Sequence, residues 1–413
     1  MTDKSIIVVG AGASGCMAAI MAAKRGITVT LIDRNPKIGR KLLITGKGKC
    51  NVTNNCDRDT LIASVPTNSR FLYSAFAAFS PRDTMDFFEG CGVPLKTERG
   101  NRVFPVSDKS VDIIDALFRQ ILKYGIKLVN DNVTDLIMEN NAVKGVITDN
   151  GRYTADAVVV CCGGCSYPKT GSDGYGYLLA KQAGHTIIEP VPSLVPIVVN
   201  EEWCGQLQGL SLKNVTLKVY NNKNKEIYSD FGEMLFTHYG ISGPMVLSAS
   251  SHMDLKKSPE YRFVIDLKPA LSDEQLDRRI IGDLEKYRNK DLLNALGDLL
   301  PKKMIPISVM LSGIEPHKKC NEITKGERMK LLAALKKLTL TFKEFRPIEE
   351  AIVPSGGIRV KEIDPKTMQS KLCSGLYFAG EVIDVDAYTG GFNLQIAFST
   401  GYLAGNSILN NEV

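Results

Sequence analysis

The hydrophobic and polar positions near the start of the chain predict a βαβ unit. Ser5–Gly10 begins with a run of aliphatic residues, which is typical of a strand buried on both faces. Cys16–Lys24 has the apolar spacing of a helix, and Thr28–Ile32 is a second, β-branched run that ends at Asp33. Because strand, helix and strand follow one another closely, the two strands are expected to lie parallel in one sheet.

Helices and strands continue to alternate through the first half of the chain. Ser80-Pro81 predicts a helix start, with Ser80 as N-cap and Pro81 as the first helical residue. A second helix is predicted from an apolar face made of Val111, Ile114, Leu117, Phe118, Ile121 and Leu122. Strands are predicted at Lys127–Val129, Val133–Met138 and Ala142–Thr148, which would form a β-meander. A further buried strand is predicted at Ala157–Cys162.

After His185 the pattern changes to short strands and then to helices, which predicts inserted domains. The predicted strands are Val195–Val199, Asn214–Tyr220, Glu226–Ser229, Met234–Thr237 and Leu338–Phe342. The predicted helices are Ser272–Tyr287, Asp291–Leu299, Lys302–Leu311 and Gly326–Leu338. We therefore expect an α/β protein with a nucleotide-binding domain (1–191 and 346–413), a β-rich substrate or cover domain (192–270 and 337–345) and a helical insertion (271–336).

Length, composition and charge fit this picture and exclude some classes of protein. A chain of 413 residues with 44% hydrophobic residues can bury the cores of two or three domains. The apolar run Ile6–Ala23 is interrupted by three glycines and a serine, so we expect a cytoplasmic protein without a membrane span, whose ten cysteines are reduced. The net charge of +6 is concentrated in Lys256–Arg346, with 20 Lys/Arg and 13 Asp/Glu. Acids are interspersed there and aromatics are few, so we expect a solvated surface and no nucleic-acid partner.

The glycines that follow the first strand predict a dinucleotide site. Gly10-x-Gly12-x-x-Gly15 stands between strand and helix, and Asp33 follows Gly15 by eighteen residues. Gly10 permits the turn, Gly12 leaves space for a pyrophosphate, and Gly15 lets the helix pack closely on the strand. The N–H groups at the helix start are expected to face the phosphates, and Asp33 the ribose hydroxyls.

The loop between Asp33 and Asn54 favours a flavin dinucleotide over a nicotinamide cofactor. It contains Gly39, Gly46 and Gly48, several basic residues and several Asn and Thr side chains. Backbone N–H groups and amides in this number can wrap a long polyanionic ligand. The alternative is a solvated surface loop.

A second helix start near the end of the chain completes the predicted cradle. Gly375–Gly380 is a strand, Glu381 would take a ribityl hydroxyl, and Thr389–Gln395 leads into a helix that continues through Gly405. N–H groups at that helix start would face the flavin pyrimidine edge, where negative charge builds on reduction. The predicted FAD-binding residues are Gly10, Gly12, Ala13, Ser14, Gly15, Asp33, Arg34, Arg40, Lys41, Gly46, Gly48, Cys50, Asn51, Thr53, Asn54, Val133, Gly163, Gly164, Gly380, Glu381, Gly391, Phe392, Asn393, Leu394 and Gln395.

Four segments together resemble a bacterial flavoprotein family that is named for aminoacetone oxidase or for the reductase of 3-oxo-Δ4,6 bile-acid intermediates. They are Thr45–Asn54, Gly163–Gly171, Glu233–Pro244 and Ala379–Gln395. The resemblance spans nearly the whole chain and implies a glutathione-reductase-like FAD domain interrupted by a β-barrel-like domain and a small helical domain. Two positions depart from the family pattern: Lys47 stands where Gly is more usual, and Lys49 stands where Arg is more usual.

The predicted reaction is hydride transfer through flavin N5. A single glycine fingerprint argues against a separate nicotinamide domain, so NAD(P)H is expected as a transient donor. We favour reduction of a conjugated C=C bond in a hydrophobic, steroid- or bile-acid-like enone. The alternatives are an oxygen-dependent aminoketone or amine oxidase, and a tRNA-associated or non-catalytic flavoprotein. The oligomeric state is not predicted.

Candidate side chains for proton transfer and redox chemistry are few. Tyr388 and His238 are candidate proton donors, although a single histidine is more often structural. Cys162-x-x-Cys165 could be a redox dithiol, but free cysteines often act as small core residues. No His or further Cys stands at ligand spacing, so no metal site is expected.

Overall fold

The computed structural model describes residues 4–253 and 260–409. One compact unit ends at Ser193 and resumes at Ile348, and the other is Leu194–Pro347. The strands are β1 (Ser5–Val9), β2 (Thr28–Asp33), β3 (Thr53–Asn54), β4 (Leu95–Glu98), β5 (Arg102–Pro105), β6 (Lys127–Asn130), β7 (Val133–Glu139), β8 (Ala142–Thr148), β9 (Gly151–Thr154), β10 (Ala157–Val160), β11 (Ile187–Ser193), β12 (Ile197–Val199), β13 (Ser211–Tyr220), β14 (Glu226–Phe236), β15 (Gly240–Ser242), β16 (Arg262–Asp266), β17 (Leu338–Phe345), β18 (Val353–Ile358) and β19 (Leu376–Phe378).

The helices vary from one to four turns. They are α1 (Ala13–Lys24), α2 (Arg40–Ile44), α3 (Arg58–Ala63), α4 (Tyr73–Ala78), α5 (Pro81–Gly90), α6 (Ser110–Lys123), α7 (Tyr175–Gln182), α8 (Pro244–Ser250), α9 (Asp273–Lys286), α10 (Met304–Ser312), α11 (Lys325–Lys336) and α12 (Phe392–Ser407). The predicted start of α5 is confirmed, because Ser80 caps the helix and forms a reciprocal capping box with Asp83.

The first unit is built on a parallel five-stranded sheet. Its strand order is β19-β10-β1-β2-β6, and each neighbouring pair is parallel. β1 and β10 are aliphatic and almost completely buried, as expected for strands covered on both faces. The predicted β-meander precedes β10 but consists of β7-β8-β9. Lys127–Val129 lies instead in β6 of the parallel sheet, because it pairs with β2, and Gly151–Thr154, which was not predicted as a strand, supplies the third meander strand. The predicted α/β class with a Rossmann-type sheet is confirmed.

Close packing of α12 on α1 joins the end of the chain to its beginning. A Cβ atom built on Gly401 would lie 2.3 Å from the Ser14 carbonyl oxygen, and one on Gly405 would lie 2.4 Å from the Ala18 carbonyl oxygen. Only glycine allows two helix backbones to approach this closely. The last helix is therefore part of the core that holds the first glycine turn.

The second unit is a closed six-stranded barrel with helices. The strand order is β12-β15-β14-β13-β16-β17, and β17 pairs with β12 to close it. Side chains of the barrel and of α9, α10 and α11 share one hydrophobic core. The predicted β-barrel-like architecture is confirmed, whereas a separate helical insertion at 271–336 remains a prediction.

Two sequence predictions in the second unit are corrected. Glu226–Ser229 and Met234–Thr237 are not separate strands, because β14 runs unbroken from Glu226 to Phe236 and pairs with β13 along its length. Asp291–Leu299 is not a helix but contains two short 3-10 turns, Leu292–Asn294 and Leu296–Asp298. Gly297 lowers the helix propensity there, and packing of the leucines decides the conformation.

The apolar face predicted for α6 is only half buried. Leu117 and Ile121 of the predicted face are inaccessible to solvent and Ile114 is half-buried, whereas the inaccessible Ile113 was not part of that prediction. Val111, Phe118 and Leu122 are 46%, 39% and 61% exposed. The apolar stripe is wider than the surface that covers it, which periodicity cannot show.

No helix in the described residues combines the length and the apolar character that a membrane crossing requires.

Candidate functional site

The candidate site lies at the carboxyl edge of the parallel sheet in the first unit. β1 leads into Gly10, β2 ends at Asp33, β10 leads into Cys161–Gly164, and β19 leads into Ala379–Glu381. The chain passes from β1 to β2 on one side and returns to β10 on the other side of β1. Nucleotides bind at such a reversal of strand order in open α/β sheets.

The three glycines of the first turn have different structural reasons. A Cβ on Gly10, where φ is +101°, would lie 2.5 Å from the Cys161 carbonyl oxygen, and a Cβ on Gly15 would lie 1.8 Å from the Gly10 carbonyl oxygen. A Cβ on Gly12 would have no described protein atom within 4 Å. Gly12 is also the N-cap of α1, and no side chain caps this helix start. Open space at an uncapped helix start fits a phosphate group.

Asp33 supports the glycine turn directly. Its Oδ2 accepts a hydrogen bond of 2.6 Å from the Ala11 N–H, and its Oδ1 accepts one of 2.7 Å from the Asn35 N–H. Asn35 Nδ2 donates a third bond to Oδ1 at 3.0 Å, so three of about four acceptor positions of the carboxylate are taken and one is left for a ribose hydroxyl. The ribose contact stays a prediction.

The loop from Gly39 to Asn54 has an exposed centre and a buried C-terminal flank. Lys47 is exposed, whereas Cys50, Val52, Thr53 and Asn54 are buried. Gly46, Lys47, Gly48 and Cys50 all have positive φ. The loop turns back on itself, since the Lys49 and Cys50 N–H groups donate to the Gly46 and Thr45 carbonyl oxygens, and its tip at Lys47 is exposed.

Lys47 departs from the family pattern at a position that favours glycine. Its φ is +59° and ψ is +40°, a left-handed conformation that strains a residue with a Cβ. Lys47→Gly is expected to raise the free energy of unfolding by about 0.5–1 kcal/mol. Urea unfolding measures this change. Lys37→Gly is the control, since Lys37 is also exposed but lacks a positive φ, and it should be neutral or destabilising. Equal changes in the free energy of unfolding for the two variants would show that the left-handed conformation of Lys47 is not strained.

A charged cluster connects the loop to the end of β19. Lys41 Nζ donates hydrogen bonds to Glu381 Oε1 at 2.8 Å, to Glu381 Oε2 at 2.9 Å and to Ser166 Oγ at 2.8 Å. A Cβ on Gly164 would lie 2.6 Å from Pro354 Cγ and 2.7 Å from Glu381 Oε1, so the backbone at Gly164 packs closely beside this carboxylate. Glu381, the predicted ribityl ligand, is thus held in place by Lys41.

The start of α12 meets the same loop. Gly391, where φ is +100°, approaches Thr53 so closely that a Cβ would lie 2.4 Å from the Thr53 carbonyl oxygen. The Asn51 Oδ1 atom is buried without a hydrogen-bond partner in the described structure, 3.0 Å from the same Cβ position. A buried polar atom without a partner needs an explanation, and a polar ligand at the helix start supplies one.

Several predicted ligands use their side chains to build the cradle. Gln395 is completely buried; its Oε1 accepts hydrogen bonds from Thr53 (2.6 Å) and Thr84 (2.8 Å). Its Nε2 donates to the Phe79 carbonyl oxygen (3.0 Å) and to Ser399 Oγ (2.8 Å). All four positions of the amide are taken, so a cofactor contact by Gln395 would have to come from its backbone.

The side chains of Asn54 and Asn393 also form hydrogen bonds to backbone groups. The Asn54 amide donates to the Gly100 and Gly390 carbonyl oxygens, at 3.0 Å each. The Asn393 side chain accepts from the Ala387 N–H at 2.9 Å and donates to the Ala387 carbonyl oxygen at 2.6 Å. Both amides therefore hold the segment that leads into α12.

The remaining predicted ligands belong to the segments around the carboxyl edge of the parallel sheet. Arg34 pairs with Asp173 at 3.0 Å, and Arg40 donates to Asn35 at 2.9 Å. Ala13, Ser14, Val133, Gly163, Gly380, Phe392 and Leu394 are buried or half-buried positions of the first unit. A Cβ on Gly380 would lie 2.4 Å from Ser14 Oγ, which places the end of β19 beside the start of α1.

An acidic pair between Glu381 and α12 was missed by the sequence prediction. Asp384 and Asp386 are 8% and 2% exposed. Asp386 accepts hydrogen bonds from Ser193 Oγ at 2.9 Å and Ser355 Oγ at 3.0 Å. Asn68 Nδ2 donates to Asp384 Oδ2 at 2.9 Å. The available signal was the Asp-x-Asp spacing between two predicted cofactor contacts.

This acidic pair affects the candidate proton donor Tyr388. Burial raises the pKa of Tyr388, and the nearby Asp386 carboxylate raises it further. The phenol therefore stays protonated throughout the neutral range. His238 is an exposed residue of the second unit, between β14 and β15, and its ring lies edge-on to Tyr239 at 4.8 Å.

Asp384 predicts a pH dependence of stability. Burial raises the pKa of Asp384, Asp386 adds to this, and the hydrogen bond from Asn68 opposes it. Its contribution is fully present below the ordinary carboxyl pKa and is lost as the pH rises through the raised value. Asp384→Asn should therefore flatten the fall in melting temperature between mildly acidic and neutral pH. The exposed Asp115→Asn is the control; an unchanged slope in Asp384→Asn would contradict the prediction.

The Cys162-x-x-Cys165 motif lacks the environment of a redox dithiol. All ten cysteines are free. Burial raises the pKa of Cys162 to about 12, and burial together with Glu381 raises the pKa of Cys165. Thiolates, which carry out disulfide exchange, are therefore scarce at neutral pH. The double variant Cys162→Ser/Cys165→Ser should keep kcat within about twofold of the parent, measured by flavin reoxidation. If the double variant lost flavin turnover but still bound FAD, a redox role for the two cysteines would be supported.

Comparisons with known proteins agree over nearly the whole chain. The family model described as "HI0933-like protein Rossmann domain" matches residues 4–407. The chain is 32% identical over 408 residues to the 3-dehydro-bile acid delta(4,6)-reductase of Clostridium scindens, covering 97% of this chain and 98% of that protein. It is 33% identical over 408 residues to the ribosomal RNA dihydrouridine synthase of Haemophilus influenzae, with the same coverage.

A solved structure supports the fold. The 3-ketosteroid delta1-dehydrogenase of Sterolibacterium denitrificans, in complex with 1,4-androstadiene-3,17-dione, matches with a TM-score of 0.50 and 12% identity. The match covers 98% of this chain and 99% of that one. At this identity the likeness concerns the fold.

Proposed function

The chain belongs to the HI0933-like family of Rossmann-domain proteins, and we propose that it is an FAD-dependent oxidoreductase that reduces a C=C bond conjugated to a carbonyl group. The match spans residues 4–407, so the proposal concerns both units. The resemblance noted in the sequence, to a family that includes a bile-acid reductase, is confirmed.

The residues of the first unit fit FAD. Open space at Gly12 and the uncapped start of α1 suit the pyrophosphate. Glu381, fixed by Lys41, can accept from a ribityl hydroxyl. The Asn51 Oδ1 atom, which has no partner in the described structure, lies at the start of α12, where the flavin pyrimidine would bind. When bound, FAD supplies hydride transfer from its reduced N5. Tyr388, kept protonated, would donate a hydrogen bond to the substrate carbonyl oxygen as negative charge develops there.

One observation carries the reaction class. The two curated relatives differ in substrate, yet their names describe the same chemical change. A delta(4,6)-reductase of a 3-dehydro bile acid saturates a C=C bond conjugated to a ketone, and a dihydrouridine synthase saturates the uracil C5=C6 bond, which is conjugated to the C4 carbonyl. Addition of a hydride at the β-carbon and of a proton at the α-carbon would saturate either kind of bond. NAD(P)H remains our proposal for the electron donor.

Two substrates follow from these relatives. A steroid- or bile-acid-like enone is the first, as the sequence prediction favoured. A uridine in ribosomal RNA is the second, and the charge of this chain supports it: Leu194–Pro347 holds 24 Lys/Arg and 19 Asp/Glu, or +5 of the net +6. The earlier expectation of no nucleic-acid partner therefore needs a direct test.

An anaerobic reoxidation assay tests the proposal. The holoenzyme is reduced with NADH or NADPH under stopped flow, and then mixed with a Δ4-3-ketosteroid or with an rRNA transcript that contains uridine. Oxidised holoenzyme is mixed separately with aminoacetone. Reoxidation of the flavin by the steroid or by the RNA supports C=C reduction and identifies the substrate. Bleaching by aminoacetone, with peroxide formed on admitting oxygen, would assign the enzyme to amine oxidation instead.

A further inference from the structure

A groove in the second unit combines an apolar floor with cationic side chains. It has a volume of about 270 Å³ and lies between β13, the end of β16 and the segment before α10. Its lining includes Leu212, Val215, Leu300 and Met304, together with Lys213 and Lys268. No carboxylate is among the described residues that line it. The groove is therefore positive in charge and partly apolar.

The two lysines have no protein counterion. Lys213 lies on β13 and is exposed, and Lys268 follows β16, the strand paired with β13, and is half-buried. Neither ammonium group has a carboxylate or a hydrogen-bond acceptor among the described residues. Lys302, directly after the lining residue Pro301, adds a third exposed cation at the edge.

Three acids near the groove are already neutralised, whereas the exposed Glu233 lies opposite Lys213 across the β13–β14 pair without forming an ion pair among the described residues. Asp266, beside Leu267 of the lining, pairs with Lys336 at 2.6 Å. Asp298, two residues before Leu300, pairs with Lys286 at 2.7 Å. A third acid, Asp283, pairs with Arg279 at 2.9 Å. Even with Glu233 counted, Lys213, Lys268 and Lys302 leave a local excess of positive charge at the groove.

The surroundings of Lys268 disfavour its charged form. Burial lowers the pKa of Lys268, and the nearby Arg279 guanidinium lowers it further. A cation in such surroundings is stabilised by a bound anion, which restores the charge balance. Its position beside an apolar floor suits a ligand that is anionic in one part and apolar in another.

We propose that this groove binds the phosphodiester backbone of the RNA that carries the uridine, an inference that rests on the RNA branch of the proposed function. Lysine ammonium groups bind phosphates as point charges, and this contact dominates the affinity of proteins for nucleic acids. The apolar floor would contact ribose and base edges. The net charge of the whole unit would draw a polyanion toward the groove before contact.

Fluorescence anisotropy on the full-length holoenzyme tests the proposal, with a fluorescein-labelled, uridine-containing RNA hairpin as the probe. Lys213→Ala/Lys268→Ala should weaken binding about tenfold and reduce the slope of log K against log salt by about 1.4–1.8, the value for two lost phosphate contacts. Lys223→Ala/Lys325→Ala removes the same charge from exposed positions outside the groove and should change the slope much less.

Three outcomes would overturn the groove assignment. They are equal weakening by the two double variants, no binding of the hairpin by the parent protein, or competition by poly-glutamate as effective as by RNA. Lys213→Glu, compared with Lys223→Glu, gives the same test by charge reversal at exposed positions, should Lys268→Ala affect folding.

Kinetics separate this inference from the proposed function. Reduction of a Δ4-3-ketosteroid needs no phosphate contact, so the groove variant should keep the parent rate with it. With an rRNA transcript the variant should raise KM about tenfold and leave kcat unchanged. An RNA reaction with unchanged KM would refute the groove and leave the proposed function standing. Failure of all substrates with intact RNA binding would refute the proposed reaction and leave the groove standing.

Discussion

Gly12→Val is expected to yield a folded but colourless protein. No described protein atom lies within 4 Å of a Cβ at Gly12, so a side chain there starts in open space and the fold should be kept. The same space, at the uncapped start of α1, is where the FAD pyrophosphate is proposed to bind. The variant should bind FAD at least about 100-fold more weakly, because the side chain replaces the ligand at that position. Flavin absorbance per chain after purification measures the loss.

The control for Gly12→Val is Gly90→Val. A Cβ on Gly90, at the end of α5, also has no described atom within 4 Å, and Gly90 has no positive φ. This variant should retain FAD. Circular dichroism of both variants should match the parent, which separates lost binding from lost folding. Full FAD occupancy in Gly12→Val would rule out the proposed position of the pyrophosphate.

Tyr388→Phe is expected to slow substrate reduction about 10²–10³-fold while the enzyme stays yellow. The change removes a single hydroxyl group, which is proposed to stabilise the carbonyl oxygen as hydride adds to the β-carbon. Because burial and Asp386 raise the pKa of Tyr388, the parent rate should not fall with loss of this proton until the pH exceeds the ordinary tyrosine range. Reoxidation of pre-reduced enzyme by substrate measures the step without the reductive half-reaction.

Tyr73→Phe provides the matched control, since Tyr73 lies on α4 and is 49% exposed. It should reoxidise at the parent rate. If Tyr388→Phe also reoxidised at the parent rate, the proton donor would have to be another residue. If Tyr388→Phe lost FAD, its role would be structural, because a proton donor is not needed for cofactor binding.

Part of the candidate site could be predicted because it depends on short-range spacing. Gly10, Gly12 and Gly15 follow one strand and begin one helix, so their order alone defines a turn that faces the edge of a sheet. The capping of α5 by Ser80 is equally local. In such cases the interacting atoms lie within one or two turns of chain, and residue type and spacing are sufficient.

The roles of other predicted residues depended on distant partners. Gln395 was predicted as a ligand from its place at a helix start, but its amide is consumed by Thr53, Thr84, Phe79 and Ser399. Thr53 is 342 residues away from it in sequence. No local pattern indicates which of two polar residues at a helix start faces the core and which faces a ligand.

By itself, the sequence determined the α/β class, the Rossmann turn and the two helix starts of the cradle, because hydrophobic period and glycine spacing act over a few residues. Only the tertiary structure decided that Lys41 holds Glu381, 340 residues away. It also decided that Asp386, near Tyr388, accepts hydrogen bonds from Ser193 and Ser355. It also decided that β14 continues unbroken along β13. These features depend on which hydrogen-bonding groups meet when distant segments pack together, and a buried polar group takes whichever partner the fold brings to it.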